Sequence, residues 1–114
     1  MVEQQPASLD RVFHALADPT RRAMLRALSQ QDRAIGELAE PFAMSFAAAS
    51  KHIRVLEGAG LVKRRIQGRS HICRIAPEPL AMADEWLRFY QRFWSARLDG
   101  LEALLNAEDT AGGA

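Results

Sequence analysis

A single cysteine, Cys73, leaves this 114-residue chain without an internal disulfide. Its stability must come from a packed core, and a lone thiol suits a reducing compartment. No stretch comes near the ~18–20 consecutive apolar residues that a membrane-spanning helix needs. The opening MVEQQPASLD lacks the charged-then-apolar pattern of a secretory leader, so the expectation is a cytoplasmic protein with no membrane partner. Net charge is small too, +1 from 15 Lys and Arg against 14 Asp and Glu. Histidine is scarce, with only His14, His52 and His71. No carboxylate pair, nucleophile–base pair, Gly-rich phosphate loop or metal-spaced cluster is visible, which argues against an enzyme and implies neither a cofactor nor a metal site. No internal repeat stands out.

What the whole-chain charge hides is its segregation. Between residues 51 and 74 there are seven cations (Lys51, Arg54, Lys63, Arg64, Arg65, Arg69, Arg74) and one carboxylate, Glu57. From Ala76 onward the balance reverses, with seven carboxylates and three Arg. A local excess of this size in the middle third points to phosphate, and the acidic tail would face away from it.

The same middle third changes period. Ser45 is a good helix N-cap, and Ala49, Ile53 and Leu56 recur at helical spacing until Gly58 and Gly60 stop the helix. Its opposite face carries Phe46, Ala47, Ser50, Lys51 and Arg54, small at the N-terminal end and cationic further on, as insertion into a DNA groove requires. From Leu61 the period becomes two, Gln67 to Ser70 form a polar turn, and His71 to Ile75 return. This is a hairpin with a cationic tip.

Elsewhere the pattern is helical. Val12, Phe13 and Leu16 stripe a helix over about 9–17, and Asp18-Pro19 is an N-cap and N1 pair for a second helix ending near Ser29. After a polar loop from Gln30 to Arg33, Ile35, Leu38 and Ala39 make a short third helix that Pro41 ends. Phe42 to Met44 is then the turn of a helix-turn-helix. Ala76-Pro77-Glu78-Pro79 breaks the chain before a long helix over about 80–105. The predicted order is ααααββα, mainly α with a small β-hairpin, a winged helix-turn-helix. It occupies one domain over 9–106, between flexible ends at 1–8 and 107–114.

The last helix carries Trp86, Phe89, Tyr90, Phe93 and Trp94, then Leu98, Leu101 and Leu105. The stripe could be ordinary core. Five aromatics within nine residues nevertheless exceed what a thin winged-helix monomer can cover, and Trp and Tyr are favoured interface anchors. A homodimer interface is therefore expected to include Trp86, Tyr90, Phe93, Trp94, Leu98 and Leu101, with Leu9 and Phe13 from the first helix.

At the level of motifs the chain resembles the ArsR/SmtB-type winged-helix transcriptional repressors along nearly its whole length. FHALADPTRRAMLRAL is similar to that family's opening, MSFAAASKHIRVLEGAGLV to its recognition segment, and GRSHICRI to the return strand of its wing. The resemblance implies a homodimeric repressor on a palindromic operator in double-stranded DNA. It does not extend to the family's metal motifs. Where thiolate-sensing members place a Cys-x-Cys-type pair, this chain has Ile35-Gly36-Glu37-Leu38-Ala39, and there is no His between Leu80 and Leu105 for the zinc-sensing pattern. The chain resembles the members without those motifs, and the inducer stays open.

The residues expected to meet DNA are Ser45, Phe46, Ala47, Ser50, Lys51 and Arg54 on the helix, and Arg65 and Arg69 on the wing. Phe46 can meet a thymine methyl group or fold back on Phe42 and Leu38. Alternation turns Cys73 toward the core with Ile75, as inert packing rather than a sensor. His52 is expected to be partly buried and satisfied, His14 structural, and His71 either near phosphate or solvated. Arg21 and Arg22 open a helix where cations oppose its dipole, so one of them is expected to reach phosphate or an acidic partner. An alternative function is a protein-interaction module whose basic hairpin binds an acidic protein.

Overall fold

The computed structural model describes residues 8–112, with side chains through Glu108, in two compact units that divide between Ala83 and Asp84. Of the segments expected to be flexible, residues 1–7, 113 and 114 lie outside the described ones.

In the first unit three helices begin at a side chain able to satisfy their free N–H groups. Ser8 accepts from Arg11 N at 3.2 Å and opens α1 (Leu9–Leu16). Asp18 accepts from Arg21 N at 2.9 Å and opens α2 (Pro19–Gln30), with Pro19 in the first turn where a missing N–H costs nothing. The predicted polar loop is partly wrong, because Arg33–Ala34 form a short strand, β1. Its two residues carry too little periodicity to betray a strand that forms only by pairing with a distant one. Next come α3 (Ile35–Ala39) and a single 3₁₀ turn, Glu40–Phe42, closed by Ala43 in the left-handed region at φ 51°.

Ser45 accepts from Ala48 N at 3.1 Å and opens α4 (Phe46–Gly58). Gly58 is still helical. The stop is Gly60 at φ 76°, where Gly60 N donates to Glu57 O and Leu61 N to Leu56 O, both at 2.9 Å. These two bonds form a Schellman end, with buried Leu56 and Leu61 as its apolar contact. The chain then enters β2 (Val62–Gln67) and β3 (Ser70–Ile75). Pairing runs as far as Gln67 opposite Ser70, so the turn is only Gly68-Arg69, with Gly68 supplying φ 63°. The sheet order is β1-β3-β2, all antiparallel, and the element order is therefore ααβααββα.

The core of this unit is one cluster. Val12 and Ala15 of α1, Met24 and Leu28 of α2, Ile35 and Leu38 of α3, and Ala49, Ile53 and Leu56 of α4 converge on Leu61, Val62 and Cys73 of the wing's base. The inward face of α4 is thus spent on packing, which leaves its other face for a partner.

α5 (Glu78–Gly112) starts two residues earlier and ends later than the sequence pattern indicated. Pro79 sits in its first turn, compatible with a helix start rather than a break. Leu80, Met82 and Ala83 still join the first unit's core. The second unit is the rest of α5, where Leu87, Tyr90 and Trp94 recur eleven positions later as Leu98, Leu101 and Leu105. An eleven-residue period corresponds to about 3.67 residues per turn, which keeps the stripe nearly straight along the helix.

Candidate nucleic-acid interface

The outward face of α4 holds the expected residues together. Phe46 is 57% exposed, which settles the choice between turning outward and folding back on Phe42. Ala47, Lys51 and Arg54 are exposed beside it and Ser50 is half-buried. The Ser45 hydroxyl is already an acceptor for Ala48 N, leaving its O–H as the group it can offer outward.

On the wing, alternation sorts the cations onto two faces. Val62, Arg64 and Ile66 share one face with Ile75, Cys73 and His71, the residues directly opposite them. Lys63 and Arg65 share the other with Arg74 and Ile72, and Lys63, Arg64, Arg65, Ile72 and Arg74 line a shallow cavity of about 250 Å³. Lys63 and Arg74 were counted in the basic run without being assigned a site. The period-two pattern that turns Cys73 inward was the signal for placing them on the outer face.

Not every cation is available. Arg64 makes a fork to Glu57 on α4, Nη2 to Oε1 at 2.6 Å and Nε to Oε2 at 3.1 Å. Its Nη1 lies 3.2 Å from His71 Nδ1. The hydrogen-bonded carboxylate holds the Arg64 proton even more firmly than usual. Arg65 pairs with Asp32 at 3.1 Å, both side chains about half exposed, so that contact adds little to stability and can open to a phosphate. Among the described residues Lys51, Arg54, Lys63, Arg69 and Arg74 have no carboxylate partner. Arg69 stands exposed at the hairpin tip.

Three sequence expectations need correction. Arg21 and Arg22 do not point away to an acidic partner. Arg21 donates to Ala15 O at 2.8 Å and His14 O at 3.0 Å, and Arg22 to Leu16 O at 2.8 Å. They are cations at the C-terminus of α1, where the dipole favours them, and this outweighs their place in the first turn of α2. His71 is not freely solvated but half-buried against Arg64. His14 has an exposed side chain, and only its carbonyl is used.

His52 agrees with expectation. Its Nδ1 lies 3.4 Å from Arg21 Nη1 and 4.0 Å from Asp18 Oδ2. Asp18 itself titrates below the usual carboxylate range, chiefly because it accepts the Arg21 backbone N–H, with the Arg21 and His52 charges adding. Cys73 is fully buried, and burial raises its thiol pKa.

Of the expected interface residues, Leu9 and Phe13 pack partly against the first unit's core. In the second unit Trp86, Tyr90, Phe93, Trp94, Leu98 and Leu101 are all substantially exposed. Tyr90, Phe93, Trp94 and Arg97 line an open groove of about 420 Å³.

A helix–turn–helix feeding a cationic hairpin matches known proteins. The helix-turn-helix domain family matches over residues 16–65. HTH-type transcriptional regulator Rv2034 of Mycobacterium tuberculosis (strain ATCC 25618 / H37Rv) is 39% identical over 101 residues, covering 89% of this chain and 92% of that protein. The crystal structure of an ArsR family transcriptional regulator, RHA00566, superposes with a TM-score of 0.70 at 42% identity, covering 76% of this chain and 90% of the other. The chain belongs to the ArsR family. These are DNA-binding transcriptional regulators, not enzymes. Another ArsR-type structure, the homodimeric winged helix-turn-helix DNA-binding domain of Mb0332 from Mycobacterium bovis, superposes with a TM-score of 0.59 at 30% identity, covering 75% of this chain and 81% of that one. Within this ArsR chain, the described residues contain no group of three or more His, Cys, Asp or Glu placed to hold a metal ion. Nor is any helix among them long and apolar enough to cross a membrane.

Proposed function

We propose that this ArsR-family regulator is a cytoplasmic homodimeric repressor that occupies a near-palindromic operator, with α4 in the major groove and the wing on the adjoining phosphates. The observation that carries this reading is the division of α4 into a packed face and an outward face. The outward face offers Ser50, Lys51 and Arg54 to base edges and phosphates, with Ser45, Phe46 and Ala47 making the close-approach end. Arg65 and Arg69 are the wing contacts. Repression follows if the bound dimer covers promoter DNA that polymerase needs.

Dimerisation is supported by the exposed apolar stripe of α5, a larger apolar surface than a small monomer ordinarily leaves in water. The stripe also has charge polarity. Arg92 and Arg97 flank its first half, where Arg88 is paired with Asp84 and Glu85 adjoins Trp86, and Asp99, Glu102 and Glu108 flank its second. Two antiparallel copies would set basic halves against acidic halves, whereas parallel copies would oppose like charges.

Mapping of DNA bound across the genome, followed by titration of the recovered duplex at several salt concentrations, tests the reading. A near-palindromic site with half-sites ~34–36 Å apart or a multiple of that, and a steep salt dependence, is expected. Binding to an acidic protein with no preference among DNA sequences would instead establish the interaction-module alternative.

A further inference from the structure

The two elements assigned to DNA are joined by only three residues, Ala59, Gly60 and Leu61, and need some fixed relation if both are to fit one duplex. Burial shows where that relation is set. Along β2, Arg64 is the last half-buried residue, and on β3 His71 is the first. Everything between them, from Arg65 to Ser70, is exposed. The hairpin tip is therefore a lever, and Arg64 stands where it leaves the body of the protein.

At that point Arg64 grips in two directions. Its fork closes on Glu57, the penultimate residue of α4, and its remaining nitrogen lies at hydrogen-bond distance from His71 on the opposite strand. A bidentate, charge-assisted pair fixes orientation as well as distance, which a point charge cannot do. Three strand residues and the turn lie beyond the grip, a reach of about 13 Å, so a swing of ~10° would move the tip by roughly 2 Å, more than a hydrogen bond to phosphate tolerates.

We infer that Arg64 and Glu57 are positioning residues for DNA recognition: without touching the duplex, they lock the recognition helix and the wing into one rigid reading head. This rests on the proposed assignment of α4 and the wing to DNA. It also gives the single carboxylate of the basic segment a role. Glu57 sits in the one place where an anion would repel DNA, and it is kept there because it holds the angle.

The experiment compares wild type, Glu57→Gln, Arg64→Lys and the exchanged pair Glu57→Arg/Arg64→Glu, on the operator and on an unrelated duplex, with thermal melting to verify folding. The positioning role predicts that Glu57→Gln, although it removes a negative charge, weakens operator binding by roughly tenfold while changing unrelated-DNA binding little. Arg64→Lys does the same and leaves the salt slope unchanged. Its hydroxyl-radical footprint loses protection at the flanking, wing-contacted phosphates and keeps it at the central half-site. The exchanged pair recovers at least part of the lost affinity. Tighter operator binding by Glu57→Gln, or an Arg64→Lys footprint unchanged at the flanking phosphates, would overturn the inference, since the first marks Arg64 as a direct phosphate contact that Glu57 merely restrains and the second shows that the fork does not set the wing's place. Absence of operator preference in the wild type defeats the DNA reading itself, and the inference with it.

Discussion

Lys63 and Arg74 occupy directly opposite positions of the β2–β3 ladder, two cations facing each other on the outer side of the wing with no carboxylate beside them among the described residues. Like charges so placed destabilise a hairpin by a few tenths of a kcal/mol to about 1 kcal/mol. Lys63→Ala should therefore leave the melting temperature unchanged or raise it, and yet weaken DNA binding and flatten its salt dependence by roughly one unit. A variant that loses stability and keeps its salt slope would show that the pair serves the fold and not an anion.

Reading and anchoring should separate by residue. Arg69→Ala at the tip is expected to weaken all duplexes alike, whereas Ser50→Ala and Lys51→Ala should change the preference among sequences. Titrations on a panel of single-base operator variants make the comparison. Loss of discrimination from Arg69→Ala equal to that from Lys51→Ala would reverse the two assignments.

The exposed stripe of α5 is expected to make the protein a dimer at micromolar concentration. Trp94→Asp places a charge within the stripe and should give a monomer by sedimentation equilibrium, with the helical signal of the first unit retained. A folded wild-type monomer at that concentration would remove the interface argument.

Acid should find Asp18 late. Its folded pKa lies below the ordinary value of 3.8, so the stability it contributes is present above that value and is lost as pH falls through the lower folded pKa. Melting temperatures of wild type and Asp18→Asn should differ at neutral pH and approach each other as the carboxylate is protonated below about pH 4. A constant gap down to pH 2 would assign the effect to something other than ionisation. Cys73 runs the other way, since burial raises its pKa and disfavours the thiolate. Its contribution holds at pH values below the unfolded thiol's and fades as pH rises through the folded value. Alkylation at neutral pH should accordingly be slow until the chain unfolds.

Metal should not control DNA binding. Structural or sensing Zn²⁺ needs three or four converging ligands, and the chain has one cysteine and three histidines distributed over 58 positions from His14 to His71. Elemental analysis of dialysed protein and DNA titrations with and without Zn²⁺ should show neither stoichiometric metal nor release. A bound metal that releases DNA would direct attention to ligands shared between protomers, such as Asp84 and Glu85.

The starts at Asp18 and Ser45 were legible because such caps act locally, each accepting from an N–H three residues on, whereas Ser8, assigned to the flexible end, caps the first helix in the same way and was missed. The wing was legible because its period changes at Leu61. β1 was not, since Arg33 and Ala34 become a strand only by meeting Cys73 and Ile72 across the sheet. The Glu57–Arg64 fork was hidden for a related reason. Seven residues on a helix-to-strand connection carry no regular spacing, so Arg64 and Glu57 entered only as members of a charge count, not as a pair. The eleven-residue period of α5 was in plain letters, yet its aromatics become leucines in the second half, and identity conceals what size and polarity repeat.

The caps that Arg21 and Arg22 place on α1 have a mechanical consequence. Arg21 holds the end of α1 with two of its nitrogens, lends its own backbone N–H to Asp18, and points its last nitrogen at His52 on α4. One side chain is thus the hub of an elbow joining the first helix, the second helix and α4. A load that shifts α1, such as a change in how two protomers grip each other, would reach α4 through that polar hub as well as through the core the two helices share. The corner Ala-Asp-Pro-Thr-Arg is better viewed as the joint through which a signal at the dimer seam would be felt at the operator.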